Sequence, residues 1–128
     1  MNVITESEAT GWIHRYVQAW RTNRLDDIAT VYARDAEFHE RPYETDWNGL
    51  DEIAAGWKMR AGWAGTGSWT FGWKLLHLTG DTFAGQGTGT YPALGTFDNL
   101  WVVTLDAEGR ATAHWQWNNQ VTPGALPG

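Results

Sequence analysis

The chain has no cysteine among its 128 residues, which excludes disulfide scaffolds, thiolate zinc sites and cysteine nucleophiles together. Positive charge is scarce too. Nine Lys and Arg face fifteen Asp and Glu, the formal net charge is −6, and no basic stripe is formed. Nucleic acid and anionic membrane surfaces are poor partners for such a chain. Long hydrophobic runs are missing, and no window approaches the length of a membrane span. The opening Met-Asn-Val-Ile-Thr-Glu-Ser-Glu lacks both a basic start and an apolar stretch, so a cytoplasmic protein without a secretory signal is expected. Neither a G-x-S-x-G elbow nor a P-loop occurs, and the four histidines have no H-x-H or E-x-x-H spacing. Metal and cofactor binding are therefore not expected.

What is abundant is tryptophan, with ten residues. Indoles are favoured around ligands and at interfaces, and each one buried needs a partner for its N–H. Most of the ten fit an aromatic core, and the remainder must line a cavity or a subunit contact. Hydrophobic residues at 42% and charged residues at 19% describe a globular chain of one domain.

Thr5-Glu6-Ser7-Glu8 reads as a capping box. Behind it Trp12, Ile13, Tyr16, Val17 and Trp20 recur at helical spacing, to a stop at Asn23. A second helix is expected from Leu25 to Tyr32, then a strand from Glu37 to Arg41 that halts at Pro42. Trp47-Asn48-Gly49 reads as a turn into a third helix with Leu50, Ile53, Ala54 and Trp57 as its stripe. From Thr66 onward the pattern becomes strands: Ser68 to Leu78, Thr82 to Tyr91, Thr96 to Leu105 and Ala111 to Asn119. Their short turn-like connections imply antiparallel neighbours. Helices followed by a strand meander describe an α+β fold, with the domain over 1–121 and a loose tail over 122–128. Gly85-Gln86-Gly87-Thr88-Gly89 lies inside a strand with no helix after it, so it clears a sheet face for Trp rings instead of holding phosphate.

Period-2 alternation puts Phe38 and Glu40 on one strand face and Glu37 and His39 on the other. Burial of a carboxylate raises its pKa and makes it a stronger base. The bland alternative pairs Glu40 with Arg41 or Arg60 at the rim. In the last strand Thr112, His114, Gln116 and Asn118 share one face and Ala113, Trp115 and Trp117 the other. A run of four polar residues ordinarily marks a solvated face.

The stretches His14-Arg15-Tyr16-Val17, Leu25-Asp26-Asp27-Ile28, Val31 through Phe38, and Phe97-Asp98-Asn99-Leu100-Trp101 into Asp106 resemble the NTF2-like superfamily. Within it they are most similar to SnoaL-like polyketide cyclases and ketosteroid isomerases. The resemblance implies a cone-shaped barrel in which three helices pack in a curved, mostly antiparallel sheet around an internal pocket. It implies Glu40 as general base and Tyr16 as oxyanion donor. Trp101 stands where the isomerases carry a protonated aspartate. An indole N–H can donate there but cannot strengthen the bond by partial proton transfer. The polar face of the last strand would turn inward, bringing His114 and Gln116 to face Glu40. Trp20, Phe38, Trp57, Asn99, Val103, Gln116 and Asn118 would bind substrate. The Trp-bearing outer face would meet a second subunit.

Three functions follow. The first is a cofactor-free enzyme on a hydrophobic, ring-containing small molecule, running isomerisation, cyclisation or dehydration through an enolate-like step. It requires a shared cavity holding Glu40, Tyr16 and a polar residue of the last strand. A non-catalytic binding module would show a closed aromatic pocket with Glu40 tied to an arginine. A dimeric assembly domain would have its cone filled.

Overall fold

The computed structural model describes residues 2–64, 69–92 and 95–121. Helix α1 spans Glu6–Thr22, and its start is the capping box expected from sequence. The Glu8 amide donates to Thr5 Oγ1 and the Thr5 amide to Glu8 Oε1, both at 3.1 Å. It ends at Asn23, which adopts the left-handed conformation (φ 52°) and donates its N–H to Ala19 O at 2.8 Å. Helix α2 (Leu25–Val31) leads directly into strand β1 (Tyr32–Arg41).

β1 begins five residues before the expected Glu37, because Tyr32 already pairs with Ala111 and an irregularity in register separates that pair from Glu37↔Ala113. Ala33-Arg34-Asp35-Ala36 carries little strand propensity, so tertiary pairing overrides the local signal. A short strand β2 (Thr45–Asn48) folds back on β1, where only a turn was expected. The turn itself is narrower than expected, confined to Gly49, two residues after the expected start at Trp47, and the φ of 91° there suits glycine. Helix α3 covers Leu50–Ala64.

Four long strands follow: β3 (Thr70–Thr79), β4 (Thr82–Tyr91), β5 (Gly95–Leu105) and β6 (Ala111–Val121). The curved sheet has the order β2-β1-β6-β5-β4-β3, antiparallel throughout except for the parallel β1–β6 pair. It does not close, since β2 and β3 are free edges. The tail over 122–128 and the start of the expected strand at Ser68 lie outside the described residues.

The core sits between helices and sheet, around Trp12, Ile28, Tyr32, Ile53, Trp101 and Leu105. Trp12 satisfies its indole by donating to Val31 O at 2.8 Å, which ties α1 to the end of α2. The glycines of β4 work as the sequence suggested. A Cβ on Gly85 would lie 2.8 Å from Trp101 Cε3, and one on Gly87 would lie 2.6 Å from both Trp101 Cζ2 and Phe71 Cζ. No helix of the described residues is long and apolar enough to cross a membrane.

Candidate functional site

Alternation along β1 buries Ala36, Phe38 and Glu40 and exposes Glu37. Glu40 is only 3% exposed, yet it lines a cavity of about 660 Å³ between α1, α3 and the sheet. The parallel register sets Glu40 beside Gln116 of β6, and the β5–β6 register sets Asn99 beside Asn118. Three amides and one carboxylate therefore meet at one end of the cavity. Tyr16, Trp20, Phe38, Trp47, Trp57, Phe71, Tyr91 and Phe97 form ring-bearing walls around the rest. A second hollow, of about 640 Å³, is lined by Tyr32, Arg34, Asn48, Gly49, Asp106 and Arg110 among others. It holds none of the expected site residues, so the first cavity is the candidate site.

The hydrogen bonds around Glu40 run in one direction. Asn118 Nδ2 donates to Glu40 Oε2 at 2.6 Å, and Gln116 Nε2 points to the same oxygen at 3.4 Å and to Asn118 Oδ1 at 2.8 Å. Asn99 Nδ2 also donates to Asn118 Oδ1. With its amide NH₂ turned to the carboxylate, Gln116 offers its oxygen to His114 Nε2 at 3.1 Å. His114 Nδ1 then accepts from the Tyr32 hydroxyl at 2.7 Å. This pattern needs a neutral imidazole protonated on Nε2. Burial agrees, pushing the His114 pKa down to about 3 against the smaller opposing effect of the Gln116 bond.

The other carboxylate oxygen, Oε1, forms an ion pair with Arg60 Nη1, although the contact lacks the angles of a hydrogen bond. Arg60 Nη2 donates to Thr45 Oγ1 at 2.9 Å, and its guanidinium lies 5.0 Å from the Trp47 ring centroid. Burial pushes the Tyr16 hydroxyl well above the ordinary phenol range. Tyr91 and Glu40 add to that and Arg60 opposes it, so Tyr16 senses both members of the pair.

The structure brings together Glu40, Tyr16, Trp20, Phe38, Trp57, Asn99, Gln116 and Asn118 on one cavity. It leaves three expected residues off the wall. Val103 lies in the core, paired with Phe83 and His114 across the neighbouring strands. His114 is fully buried opposite Phe38, two residues below Glu40, so it reaches the carboxylate only through Gln116. Trp101 is fully buried over Gly85 and Gly87, with its ring against Phe71 and Tyr16 and, among the described residues, no acceptor for its indole N–H. The solvated-face reading of β6 is overturned. His114 and Gln116 are buried, whereas Trp115 and Trp117 are 37% and 43% exposed.

Arg60 entered the sequence reading only as a rim partner, and Tyr43, Trp47, Phe71, Tyr91 and Phe97 did not enter as wall residues. A signal for Arg60 was present, since it follows Trp57 at i+3 and shares its helix face. Arg41, the other proposed partner, turns away and contacts Asp46 Oδ1 at 3.2 Å. Among the described residues no group of three or more His, Asp or Glu is placed to hold a metal ion.

A family model for the SnoaL-like domain matches residues 13–119. No curated protein matches the chain by sequence. Among solved structures, a SnoaL-like protein of unknown function from Burkholderia thailandensis is 20% identical, with a TM-score of 0.73 over 92% of this chain and 99% of that one. An NTF-2 like protein of unknown function from Burkholderia xenovorans is 15% identical, with a TM-score of 0.72 over 96% of this chain and 90% of that one. A proposed SnoaL-like polyketide cyclase from Shewanella putrefaciens is 15% identical, with a TM-score of 0.73 over 89% of this chain and 80% of that one. At these identities the likeness concerns the fold. With its family model matched over residues 13–119 and its helices and sheet arranged as in these structures, the chain belongs to the SnoaL-like domain family and has the NTF2-like fold.

Proposed function

We propose that the chain is a cofactor-free acid–base enzyme acting on a hydrophobic, ring-containing carbonyl compound, by isomerisation, cyclisation or dehydration. One observation carries the reading: a carboxylate 3% exposed opens onto a ring-walled cavity that also holds Tyr16. In this reading Glu40 takes a proton from carbon alpha to the carbonyl, and Tyr16 donates to the oxygen that gains charge. Asn118 and Gln116 hold the carboxylate in place from behind. The aromatic walls supply binding energy through buried apolar area.

The ion pair with Arg60 favours a second reading, a binding module in which Glu40 is structural. The open cavity argues against an assembly domain with a filled interior. Under any of these readings the outer Trp face is proposed as a homodimer contact.

Solvent deuterium uptake separates the first two. Alpha-tetralone and related ring ketones are incubated with protein in D₂O and followed by mass spectrometry. The enzyme reading expects catalysed uptake that falls by about a hundredfold or more in Glu40→Gln. Uptake at the uncatalysed rate with every ketone leaves the binding module as the function, and catalysed uptake unchanged in Glu40→Gln removes Glu40 as the base.

A further inference from the structure

The polar groups at the cavity are unevenly matched. Arg60 Nε is a buried donor without an acceptor among the described residues, and the Tyr16 hydroxyl also lacks a partner there. Among the described residues the single buried side-chain acceptor without a hydrogen bond is Glu40 Oε1, and it faces Arg60. Such a site is short of acceptors, so its ligand must bring one.

Charge decides what kind. The poorly exposed charges of the cavity are Glu40 and one cation, Arg60, whereas Glu44 and Asp46 lie on its exposed rim and Asp46 is paired with Arg41. An anionic ligand would add a second negative charge against that one cation and leave Glu40 uncompensated in a poorly solvated space. An uncharged carbonyl compound avoids this. Before reaction, Arg60 balances the Glu40 carboxylate. When the C–H bond breaks, its electron pair forms the C=C bond, the carbonyl oxygen takes the negative charge, and the proton passes to Glu40 Oε1. That oxygen makes no hydrogen bond and is held only by the ion pair with Arg60, which the exchange releases, whereas Oε2 is held by Asn118 and Gln116. Arg60 now faces a neutral acid and an enolate. One ion pair has replaced another, and the net charge of the cavity is unchanged.

We propose that Arg60 is a second catalytic group, balancing Glu40 before proton transfer and the enolate oxygen after it, and that the site accordingly selects uncharged carbonyl compounds. This rests on Glu40 acting as the base. The guanidinium is already set for the exchange. Thr45 fixes Nη2, the rings of Trp47 and Tyr43 lie 5.0 and 5.9 Å away, and the side chain is 19% exposed, with Nε still unpartnered. No large movement is needed, only a shift of partner. Trp101, fully buried behind Tyr16 and Phe71, is left as a wall of the core.

A phenol whose ionised form mimics the enolate tests the exchange without a known substrate. Para-nitrophenol absorbs strongly in the visible only as phenolate. It is titrated into wild-type protein at a pH well below its own pKa, with para-nitroanisole and para-nitrobenzoate as uncharged and permanently anionic controls. The expected result is a phenolate band on binding, with both controls bound at least about tenfold more weakly. In Arg60→Gln the band disappears and affinity falls about tenfold or more, whereas Arg60→Lys retains part of the band.

Dye bound as the neutral phenol, no binding up to its solubility, or nitrobenzoate bound most tightly each overturns the proposal on wild-type protein alone. The deuterium experiment separates the two levels. Neutral dye together with a Glu40-dependent uptake removes the role of Arg60 and keeps the base. Uptake indifferent to Glu40→Gln removes both.

Discussion

His114 is held neutral by its surroundings, and that has a cost in acid. Its pKa lies near 3 in the folded protein and near 6.5 in an unfolded chain, so between those values the unfolded state binds the extra proton. The stability from the neutral ring is complete above pH 6.5 and drains away as pH falls toward 3. The full loss is on the order of 5 kcal/mol. Urea unfolding from pH 7 to pH 4 is expected to show wild type losing more stability than His114→Gln, so the gap between them narrows on acidification. Parallel curves would show that the ring is not kept neutral. The position of Glu40 was legible because alternation is local: Phe38 and Glu40 had to share a face. The link from Glu40 to His114 was not, since it depends on Glu40 lying opposite Gln116, a register between strands far apart in sequence. Arg60 was half legible, its helix face being readable and its reach across the cavity not.

At the scale of elements, β4 shows how much a missing side chain can specify. Gly87 gives up its Cβ so that Trp101 and Phe71 can lie over the strand, and Gly72 on β3 has nothing within 4 Å of its own virtual Cβ. Gly87→Ala is therefore expected to destabilise by about 1–3 kcal/mol in urea unfolding, because the fully buried Trp101 ring has no exposed side to retreat to. Gly72→Ala should be neutral or slightly stabilising, as alanine restricts the unfolded chain. Equal effects would mean that the rings over β4 are loosely packed. Helices α1 and α2 and the four long strands could be read almost to their ends, since their caps, turns and periodicities are local, whereas α3 was read only as far as Trp57 and runs on to Ala64. Strand β2 could not. Four residues are too few to display a period, and Thr45–Asn48 becomes a strand only because β1 is there to pair with it.

For the molecule as a whole, the inward polar face of β6 has an outward counterpart. Trp115 and Trp117 stack at 6.0 Å on the outer sheet surface, and Leu100, also exposed, lies opposite Trp117. A patch of this kind is seldom left to solvent. Sedimentation velocity is expected to find a dimer that the double variant Trp115→Lys, Trp117→Lys converts to monomer without loss of helical circular dichroism. Because each chain carries a net charge of −6, added salt should tighten association. A monomeric wild type at high protein concentration would end this expectation.

Gln116 also governs where a proton can travel. Carboxylic acids and imidazoles pass protons along, whereas an amide is an insulator, and here an amide stands between Glu40 and His114. Hydrogen taken up by the carboxylate has no exit through the floor of the fold, and Tyr32 and His114 work as electrically quiet ballast. If Glu40 is the base, as proposed, the proton it takes up is therefore returned on the cavity side, where the ligand would lie.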